Sequence, residues 1–442
     1  MRSSHIARGI FWLGLYVALS TLPLLLVVLT ASPDKPGRTF WTELSVGLGF
    51  VGLAMMTLQF ALTARFEFLK SPYGSDVVYV FHRVISLVAV AFVLLHPLML
   101  FVERWDTMKS RPFTHPFAFW MGTVSVLCLV GLVVVSIWRK KLGIQYDGWR
   151  RAHAILASLA VAFAVAHILY VGHYLSTPGK RALWLAYTVV FVGLIAYVRL
   201  IKPAIELRRP YKVSAVIPQL GDAYSLQLKP DGHRGLRFSP GQFAWITIGD
   251  SPFSDREHPF SFSGSSESAP DLEFTIKQLG DFTSTIKNVQ PGQTVYVDGP
   301  FGALSADRHP HAEALVFIAG GIGITPMVSH LRSLADRRDT RPLVLLYGSK
   351  NLSTITFRDE LAALQSRLPH LNLVYVLSRP TPDWTGEKGF IDAEKLARFS
   401  PKNLRTEYFI CGPDVMMDAV EKALQSNGIS PGDYHAERFN LA

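Results

Sequence analysis

The sequence predicts a multi-domain membrane protein, in which a six-helix transmembrane bundle precedes an antiparallel β-barrel and an α/β doubly wound domain. Long apolar runs fill most of residues 1–207, whereas residues 208–442 carry the glycines, prolines and charges of soluble protein. Six short strand segments separated by turn residues predict a barrel over 208–308, and four strands alternating with four helices predict a parallel sheet over 309–442. The two cysteines, Cys128 and Cys411, are too few for a disulfide framework or a thiolate cluster.

Six apolar segments in the first part reach the length of about 20 residues that a helix needs to cross a bilayer. They cover approximately residues 9–31, 44–63, 78–102, 117–138, 153–174 and 182–200. The first segment follows Arg2 and Arg8 but is too long for a signal peptide and contains Pro23, so it is expected to be a true span.

Basic residues predict the orientation of these spans. They cluster at the N-terminus, after the second span, after the fourth span and after the sixth span, and these four segments share one side of the membrane. The positive-inside rule then predicts a multi-pass protein of the cell membrane, with the N-terminus and residues 208–442 in the cytoplasm. The same residues account for the net charge of +10 as topology signals and lipid contacts, so no nucleic-acid partner is expected.

Four histidines form two pairs with the same spacing, H-x13-H, in the third and fifth spans: His82 with His96, and His153 with His167. Fourteen residues come within about 40° of four full helical turns and rise about 21 Å, so each pair lies on one helix face. Two such helices side by side would set His82 against His153 and His96 against His167. This arrangement suits two haems with bis-histidine ligation. A single histidine in an apolar helix is more often a satisfied polar residue, but the repeated spacing favours ligation.

Two motifs in the predicted barrel could contact a cofactor. The run His258-Pro259-Phe260-Ser261-Phe262-Ser263 could stack an aromatic ring on a flat ligand and bind its edge through a hydroxyl, although half-buried strands show the same alternation. The run Lys277-Gln278-Leu279-Gly280-Asp281-Phe282-Thr283 leads into a predicted short helix, and a glycine turn at a helix N-terminus beside a lysine suits a pyrophosphate. Gly-Asp is also a common turn.

The α/β part opens with a buried strand and the turn Gly320-Gly321-Ile322-Gly323-Ile324-Thr325-Pro326. A glycine-rich turn between a strand and a helix is the context in which backbone amides cradle a pyrophosphate. Cys411-Gly412-Pro413 ends a later strand at the same sheet edge, where ligands bind in open α/β folds. Ser349 and Lys350 follow the second strand, where a hydroxyl and a cation favour the 2′-phosphate of NADPH over NADH.

With these motifs in this order, nearly the whole chain resembles the ferric reductase and NADPH oxidase superfamily, in particular its prokaryotic NADPH oxidase-like members. The resemblance implies two haem b groups on the four histidines, together with FAD and NADPH, or NADH, as cofactors. It implies that FAD contacts residues of both barrel motifs: His258, Pro259, Phe260, Ser261, Ser263, Lys277, Gly280, Phe282 and Thr283. The run DGPFG at 298–302 also matches the family.

The resemblance likewise implies a nucleotide site and three residues at the reaction centre. The nucleotide would meet Gly320, Gly321, Gly323, Thr325, Pro326, Ser349, Lys350, Cys411, Gly412 and Pro413. Ser261, Cys411 and Phe439 would lie where hydride transfers, with Phe439 covering the flavin until NADPH displaces it.

The implied activity is electron transfer from cytoplasmic NADPH through FAD and two haems to an acceptor outside the membrane. Dioxygen, giving superoxide, is the favoured acceptor and ferric iron or a ferric chelate is the alternative; a redox protein or quinone is a third. Besides NAD(P)H, the acceptor and the lipid bilayer, no obligatory protein partner is expected. Two rival functions are a transporter with a regulatory nucleotide domain and a haem bundle joined to an unrelated soluble domain.

Overall fold

The computed structural model describes residues 2–30, 38–66, 75–103, 116–175, 177–254 and 256–438. The chain forms two compact units, which divide near residue 202. The first unit is helical and the second contains two sheets, so the predicted fold class is confirmed.

Six long helices make up the first unit. They are α1 (Arg2–Leu29), α2 (Phe40–Thr63), α3 (Ser75–Glu103), α4 (Phe117–Ile137), α5 (Tyr146–Val171) and α6 (Pro178–Ala196). Each contains an apolar window long enough to cross a membrane, which confirms the six predicted spans. The sequence did not predict that α6 continues through a π-helical turn, Tyr197–Ile201, into α7 (Lys202–Glu206).

Local signals explain where several of these helices begin and end. The hydroxyl of Thr39 accepts a hydrogen bond from the amide of Thr42 at the start of α2, and Thr177 accepts one from the amide of Lys180 at the start of α6. Helix α5 ends at Gly172, whose φ of 63° is the left-handed conformation that glycine adopts without steric cost.

Polar contacts between spans fix how the helices pack, because lipid gives no hydrophobic drive for helices to associate. The hydroxyl of Ser125 on α4 donates to the carbonyl of Ala160 on α5 at 2.7 Å. The amide nitrogen of Gln59 on α2 donates to the hydroxyl of Tyr16 on α1 at 2.9 Å. These contacts hold the bundle around the histidine-bearing faces of α3 and α5.

The second unit begins with a six-stranded antiparallel sheet in the order β4-β3-β6-β1-β2-β5. Its strands are β1 (Tyr211–Gln219), β2 (Ala223–Pro230), β3 (Phe243–Ile248), β4 (His258–Ser261), β5 (Leu272–Lys277) and β6 (Thr294–Phe301), with a one-turn helix α8 (Asp281–Ser284) after β5. Each of the six predicted strand segments forms a strand. Buried Leu226, Phe262, Phe274 and Ile276 fill the interior.

A parallel sheet follows, in the order β10-β9-β8-β7-β11-β12. Its elements are β7 (Ala314–Gly320), α9 (Ile324–Asp336), β8 (Leu343–Ser349), α10 (Arg358–Arg367), β9 (Leu371–Leu377), β10 (Glu387–Lys388), α11 (Ala393–Phe399), β11 (Thr406–Cys411), α12 (Asp414–Ser426) and β12 (Tyr434–Ala436). The sequence predicted the four central strands and the four helices, but not the short edge strands β10 and β12.

Arg332 of α9 joins the barrel to the parallel-sheet part of this unit. Its guanidinium donates to the carbonyl of Ser263 at 2.9 Å and to Glu273 at 2.6 Å, both in the barrel, and it also pairs with Glu360 of α10. The arginine side chain is 16% exposed, so these ion pairs are shielded from solvent. The network fixes the barrel wall behind β4 against the helix that follows the glycine turn.

Candidate functional site

Helices α3 and α5 bring the four histidines together in the two pairs that their register predicts. The ring centroids of His82 and His153 lie 6.4 Å apart, with the rings 60° from parallel. Those of His96 and His167 lie 6.2 Å apart, with the rings at 70°. The predicted partners therefore face each other at two levels along the same two helices.

The separation of the rings fits a metal ion between them. A metal–imidazole bond is about 2.0 Å long and the bonding nitrogen lies about 1.1 Å from the ring centroid, so opposed rings on one ion have centroids about 6.2 Å apart. The observed separations, 6.4 Å and 6.2 Å, are close to this value. Each pair could therefore hold one haem iron.

Backbone carbonyls orient the rings of the second pair. The Nδ1 atom of His96 lies 2.9 Å from the carbonyl oxygen of Ser45 on α2, and the Nδ1 atom of His167 lies 2.7 Å from the carbonyl oxygen of Ala118 on α4. A carbonyl can only accept a hydrogen bond, so each Nδ1 carries the proton and each Nε2 keeps its lone pair for a metal.

Side chains take this role in the first pair. The Nδ1 atom of His82 lies 2.7 Å from Oε1 of Gln59, and the Nδ1 atom of His153 lies 3.1 Å from the hydroxyl oxygen of Ser136. The indole of Trp149 donates to the same hydroxyl at 3.3 Å. These contacts again leave Nε2 of each histidine as the metal-binding atom.

Two glycines that the sequence analysis did not single out make room for the second pair. A Cβ atom on Gly122 would lie 2.8 Å from Nδ1 of His167, and one on Gly49 would lie 3.2 Å from Cγ of His96. Real Cβ atoms essentially never approach as closely as the first distance. The only sequence signal was a glycine inside a span, which also occurs for helix packing alone.

The two motifs predicted in the barrel meet through an aromatic stack. The ring of His258 lies over the ring of Phe282 with centroids 3.9 Å apart and planes at 23°. Phe260 is nearly parallel to Phe282 at 6.1 Å. In β4, Pro259 pairs with Trp245 and the buried Ser261 pairs with Phe243 of β3. These residues form a flat apolar surface with a hydroxyl at its end, which fits a planar ring system.

Two hydroxyls expected at the cofactor make hydrogen bonds within the protein. Ser263 is fully buried and its hydroxyl bonds to Glu273 at 3.0 Å and to Thr275 at 2.9 Å within the barrel wall. The hydroxyl of Thr283 accepts hydrogen bonds from the amides of Leu279 and Gly280 and so closes the turn.

The short helix predicted over residues 283–289 is divided into two turns in the structure. Helix α8 has four residues, Asp281–Ser284, and is followed by a separate 3₁₀ turn, Ile286–Asn288. A helix of one turn aligns few peptide dipoles, so its N-terminus carries little positive charge. The ammonium group of Lys277, at the end of β5, would therefore attract an anion here more strongly than the helix would.

The glycine turn after β7 packs directly against the turn after β11. A Cβ atom on Gly323 would lie 2.3 Å from the carbonyl oxygen of Cys411, and one on Gly320 would lie 2.4 Å from Sδ of Met416. Gly321 has a φ of 54°, which favours glycine. The two nucleotide motifs predicted from the sequence, the second of which includes Gly412 and Pro413, therefore form one surface.

The first turn of α9 completes this surface. The hydroxyl of Thr325 donates to the carbonyl of Ile322 at 3.0 Å, and buried Pro326 follows in the same turn. The hydroxyl of Tyr347 donates to the carbonyl of Gly321 at 3.0 Å and accepts from the amide of Thr356. Burial raises the pKa of Tyr347, so the tyrosine stays neutral and holds the turn in place.

Cys411 lies at the carboxyl end of β11, beside the glycine turn. Burial, with a smaller contribution from the charge of Glu437, raises the pKa of its thiol to about 12. The thiol therefore stays protonated at neutral pH and can position a ring beside it, but it is a poor nucleophile.

A second cation joins Lys350 at the predicted ribose end of the nucleotide site. Lys350 is exposed after β8, and its carbonyl accepts a hydrogen bond from the amide of Arg379, which is exposed after β9, at 2.8 Å. The hydroxyl of Ser349 bonds to Thr354 at 2.9 Å. The sequence analysis missed Arg379, although a basic residue at the end of the next strand was a usable signal. Phe439 lies outside the described residues.

Three family models match the chain in sequence order. The "Ferric reductase like transmembrane component" covers residues 48–163, the "FAD-binding domain" covers 212–305 and the "Oxidoreductase NAD-binding domain" covers 317–422. The first match spans His82, His96 and His153, and it ends four residues before His167.

Curated relatives match the second unit. The reductase component of propane 2-monooxygenase from Mycolicibacterium smegmatis is 29% identical over 236 residues, which is 52% of this chain and 66% of the relative. The reductase subunit of stachydrine N-demethylase from Rhizobium meliloti is 31% identical over 205 residues, 45% of this chain and 58% of the relative. The chain thus spans less than two thirds of the length of these relatives.

Among solved structures, the flavohem-like FAD/NAD-binding domain of nitric oxide dioxygenase from Vibrio cholerae is 23% identical, with a TM-score of 0.46. That alignment covers 52% of this chain and 97% of the other. A transmembrane ferric reductase component, an FAD-binding barrel and an NAD-binding sheet follow one another here, and flavin- and NAD-dependent reductases are similar to the last two. The chain therefore has the domain architecture of the ferric reductase and NADPH oxidase superfamily, and its second unit is similar to NAD(P)H-dependent oxidoreductases.

Proposed function

We propose that this protein carries electrons from NADPH, through FAD and two b-type haems, to an acceptor on the far side of the cell membrane. The observation that most strongly supports this is that the four imidazole rings form two facing pairs, one at each of two levels in the bundle. Their ring centroids are 6.4 Å and 6.2 Å apart. When bound, the nicotinamide, flavin and haem groups supply the hydride and one-electron chemistry, and the protein supplies their positions.

The four histidines would do two things at the irons. Their Nδ1 hydrogen bonds hold each ring in one tautomer and one orientation and leave Nε2 as the atom that could bind a metal. Because two imidazoles of the chain would hold each iron, they would keep other ligands off it. An acceptor would then react at the edge of the second haem instead of binding iron.

Charge at the ends of the spans supports the direction of transfer. The six spans alternate, so α3 and α5 begin on the side on which the chain leaves α6. Described basic residues on that side include Arg65, Arg139, Arg150 and Arg208. The positive-inside rule makes this side cytoplasmic, which gives the His82–His153 pair as the first stop for electrons.

The cations after β8 and β9 support NADPH as the donor. Lys350 and Arg379 are exposed and joined through their backbones, so both can reach an added phosphate on the ribose.

We expect Lys350→Ala and Arg379→Ala to lower kcat/KM for NADPH by about tenfold each, the value of one charge-assisted contact, with little change for NADH. Lys402→Ala, at the amino end of β11, is the matched control. Equal losses for NADPH and NADH would contradict this assignment.

Dioxygen, giving superoxide, is the acceptor we favour, and ferric iron or a ferric chelate is the second candidate. The architecture of ferric reductases and NADPH oxidases is compatible with both. The curated relatives are reductase components of monooxygenases. Similarity to them supports the proposal that the second unit supplies electrons from NAD(P)H.

The test uses detergent-purified protein with FAD, NADPH and air. A haem spectrum that is reduced by NADPH, with cytochrome c reduction that superoxide dismutase suppresses, is the expected result. Haem reduction without suppression would make ferric chelates the next acceptor to test. A colourless protein, with no haem band, would overturn the proposal and favour a transporter with a nucleotide-binding domain.

A further inference from the structure

A cluster of two histidines and one glutamate lies in the second unit, apart from the nucleotide and flavin residues. His309 is in the connection between β6 and β7, Glu407 is near the start of β11, and His435 is in β12. Nε2 of His435 lies 2.8 Å from Oε2 of Glu407, and Nδ1 of His309 lies 3.5 Å from the same oxygen. Three separate parts of the chain thus converge on one carboxylate.

The two imidazoles lie side by side, so both can serve one ion. Their centroids are 4.0 Å apart and their planes are at 35°, and both rings pack on Phe409. The three candidate ligand atoms all lie within 4.8 Å of one another. Atoms bound about 2.0–2.2 Å from one ion in a tetrahedral site lie about 3.3–3.6 Å apart, so small movements of these side chains would place all three around an ion.

The donor set and its burial suit zinc. Two imidazole nitrogens and one carboxylate oxygen form a three-ligand zinc site that leaves the fourth position for water. The side chain of Glu407 is 5% exposed, and a buried carboxylate needs a positive partner to offset the loss of its hydration. The histidine side chains are 21% and 22% exposed, which gives an ion a path from solvent.

The cluster is distinct from the nucleotide site. Glu407 precedes Cys411 by four residues along β11, a distance of about 13 Å in an extended strand. The nucleotide motifs lie at the carboxyl ends of the strands, whereas Glu407 lies toward the amino end of its strand.

We propose that His309, Glu407 and His435 form a divalent-cation site that binds zinc. The ion ties three segments together: the connection that leaves the barrel, the strand that carries Cys411, and the last described strand of the chain. The same three side chains without an ion would form a hydrogen-bonded staple, and the experiment separates these two cases.

The test measures zinc in the full-length detergent-purified protein. The protein is stripped with a chelator, dialysed against zinc, and assayed for zinc per chain by elemental mass spectrometry and for affinity by competition with a zinc indicator. We expect one zinc per chain, with affinity at least tenfold weaker in His309→Ala, His435→Ala and Glu407→Gln. Glu407→Gln keeps the shape and one hydrogen-bond acceptor but loses the charge. His311→Ala, an exposed histidine two residues from His309, is the matched control and should bind as the wild type does.

Bound flavin, measured by its absorbance after release, reports folding of the second unit in each variant. Weaker zinc binding with normal flavin content supports the site. The proposal fails if the wild-type chain binds no zinc, or if it binds zinc with the same affinity as Glu407→Gln and His435→Ala.

Discussion

The two histidine pairs sit on the same two helices at nearly the same ring separation, yet their rings are held by different kinds of atom. His96 and His167 both face backbone carbonyls, of α2 and α4, and His96 also contacts the Ser45 hydroxyl. His82 and His153 face the side chains of Gln59 and Ser136. The same ligand geometry is therefore reached in two ways.

This difference predicts which kind of substitution affects each histidine pair. A backbone carbonyl remains when the side chain changes, so the carbonyl contacts of the second pair persist unless a ring moves. In that pair His96 has a side-chain neighbour as well, the Ser45 hydroxyl at 2.9 Å. A side-chain acceptor can be deleted, so the electronic character of the first pair is open to tuning. We expect the second pair to respond to steric changes and the first to chemical ones.

Removing a ligand should have the largest effect and should affect both pairs alike. We expect His96→Ala to lower haem content from two per chain to one and to reduce acceptor turnover to background, because one axial ligand is lost. NADPH-driven flavin reduction should survive, since the second unit is unchanged. The pyridine haemochrome assay and stopped-flow flavin absorbance measure the two outcomes.

His82→Ala is the counterpart for the other pair, and His173→Ala is the control, because His173 lies in the exposed turn after α5. The control should keep both haems. If haem content were unchanged in His96→Ala, the ligand assignment would be wrong.

A methyl group at Gly122 should have the next largest effect, and only on the second pair. Its carbon would lie 2.8 Å from Nδ1 of His167, in the place that the hydrogen bond to Ala118 requires. We expect Gly122→Ala to displace the ring and lower haem content toward one per chain, or to alter the spectrum of one haem. Low-temperature absorbance and electron paramagnetic resonance would detect either change.

Gly131→Ala on the same helix is the matched control. There the new carbon would lie 3.8 Å from Leu156, an ordinary contact. Alanine also favours the helix by about 0.5–1 kcal/mol relative to glycine. Equal haem loss in both variants would show that α4 is sensitive to any added methyl, and the comparison between the pairs would fail.

The pairing of the histidines and the order of domains could be predicted from the sequence because both depend on short-range periodicity. Helical geometry alone relates His82 to His96, and alternation of apolar and polar residues alone marks the barrel strands. The edge strand β12 was missed because three residues carry too little pattern. The division of the helix predicted over residues 283–289 was missed because the break between Ser284 and Ile286 depends on local hydrogen bonds.

The partners of the ligands could not be predicted because they depend on how distant helices pack. Gln59 precedes His82 by 23 residues, and Ala118 precedes His167 by 49. Serine, glutamine and glycine occur in spans for many reasons, so their types alone do not mark these positions. The cluster of His309, Glu407 and His435 was missed for the same reason.

Deleting the acceptor of His82 should shift a redox potential without removing a haem. In Gln59→Leu the ring loses the carbonyl at 2.7 Å, becomes less basic and stabilises ferric iron less. A tenfold change in the stability of ferric relative to ferrous haem corresponds to about 59 mV for one electron. We therefore expect one midpoint potential to rise by about 60 mV. Potentiometric titration of the haem absorbance measures this.

Thr57→Val on the same helix is the control, because the hydroxyl of Thr57 bonds only within α2, to the carbonyl of Leu53 at 3.0 Å. It should leave both potentials in place. A shift of both haems together in Gln59→Leu would indicate a general change in the bundle and not a local loss of the acceptor.

The smallest effect is expected one step further from the iron, at Tyr16. Its hydroxyl accepts a hydrogen bond from Nε2 of Gln59 at 2.9 Å and so helps to turn Oε1 of the same amide toward His82. In Tyr16→Phe the amide keeps a longer contact to the carbonyl of Met55, so it loses orientation only in part. A twofold change in the stability of ferric relative to ferrous haem corresponds to about 18 mV, and we expect one potential to rise by about that amount.

Tyr187→Phe is the control for Tyr16→Phe. It also removes a tyrosine hydroxyl, but that hydroxyl donates to the carbonyl of Leu19, so neither haem potential should shift. If the two variants behaved alike, the orientation of Gln59 would not depend on Tyr16, and the first pair would be tuned by its nearest acceptor alone.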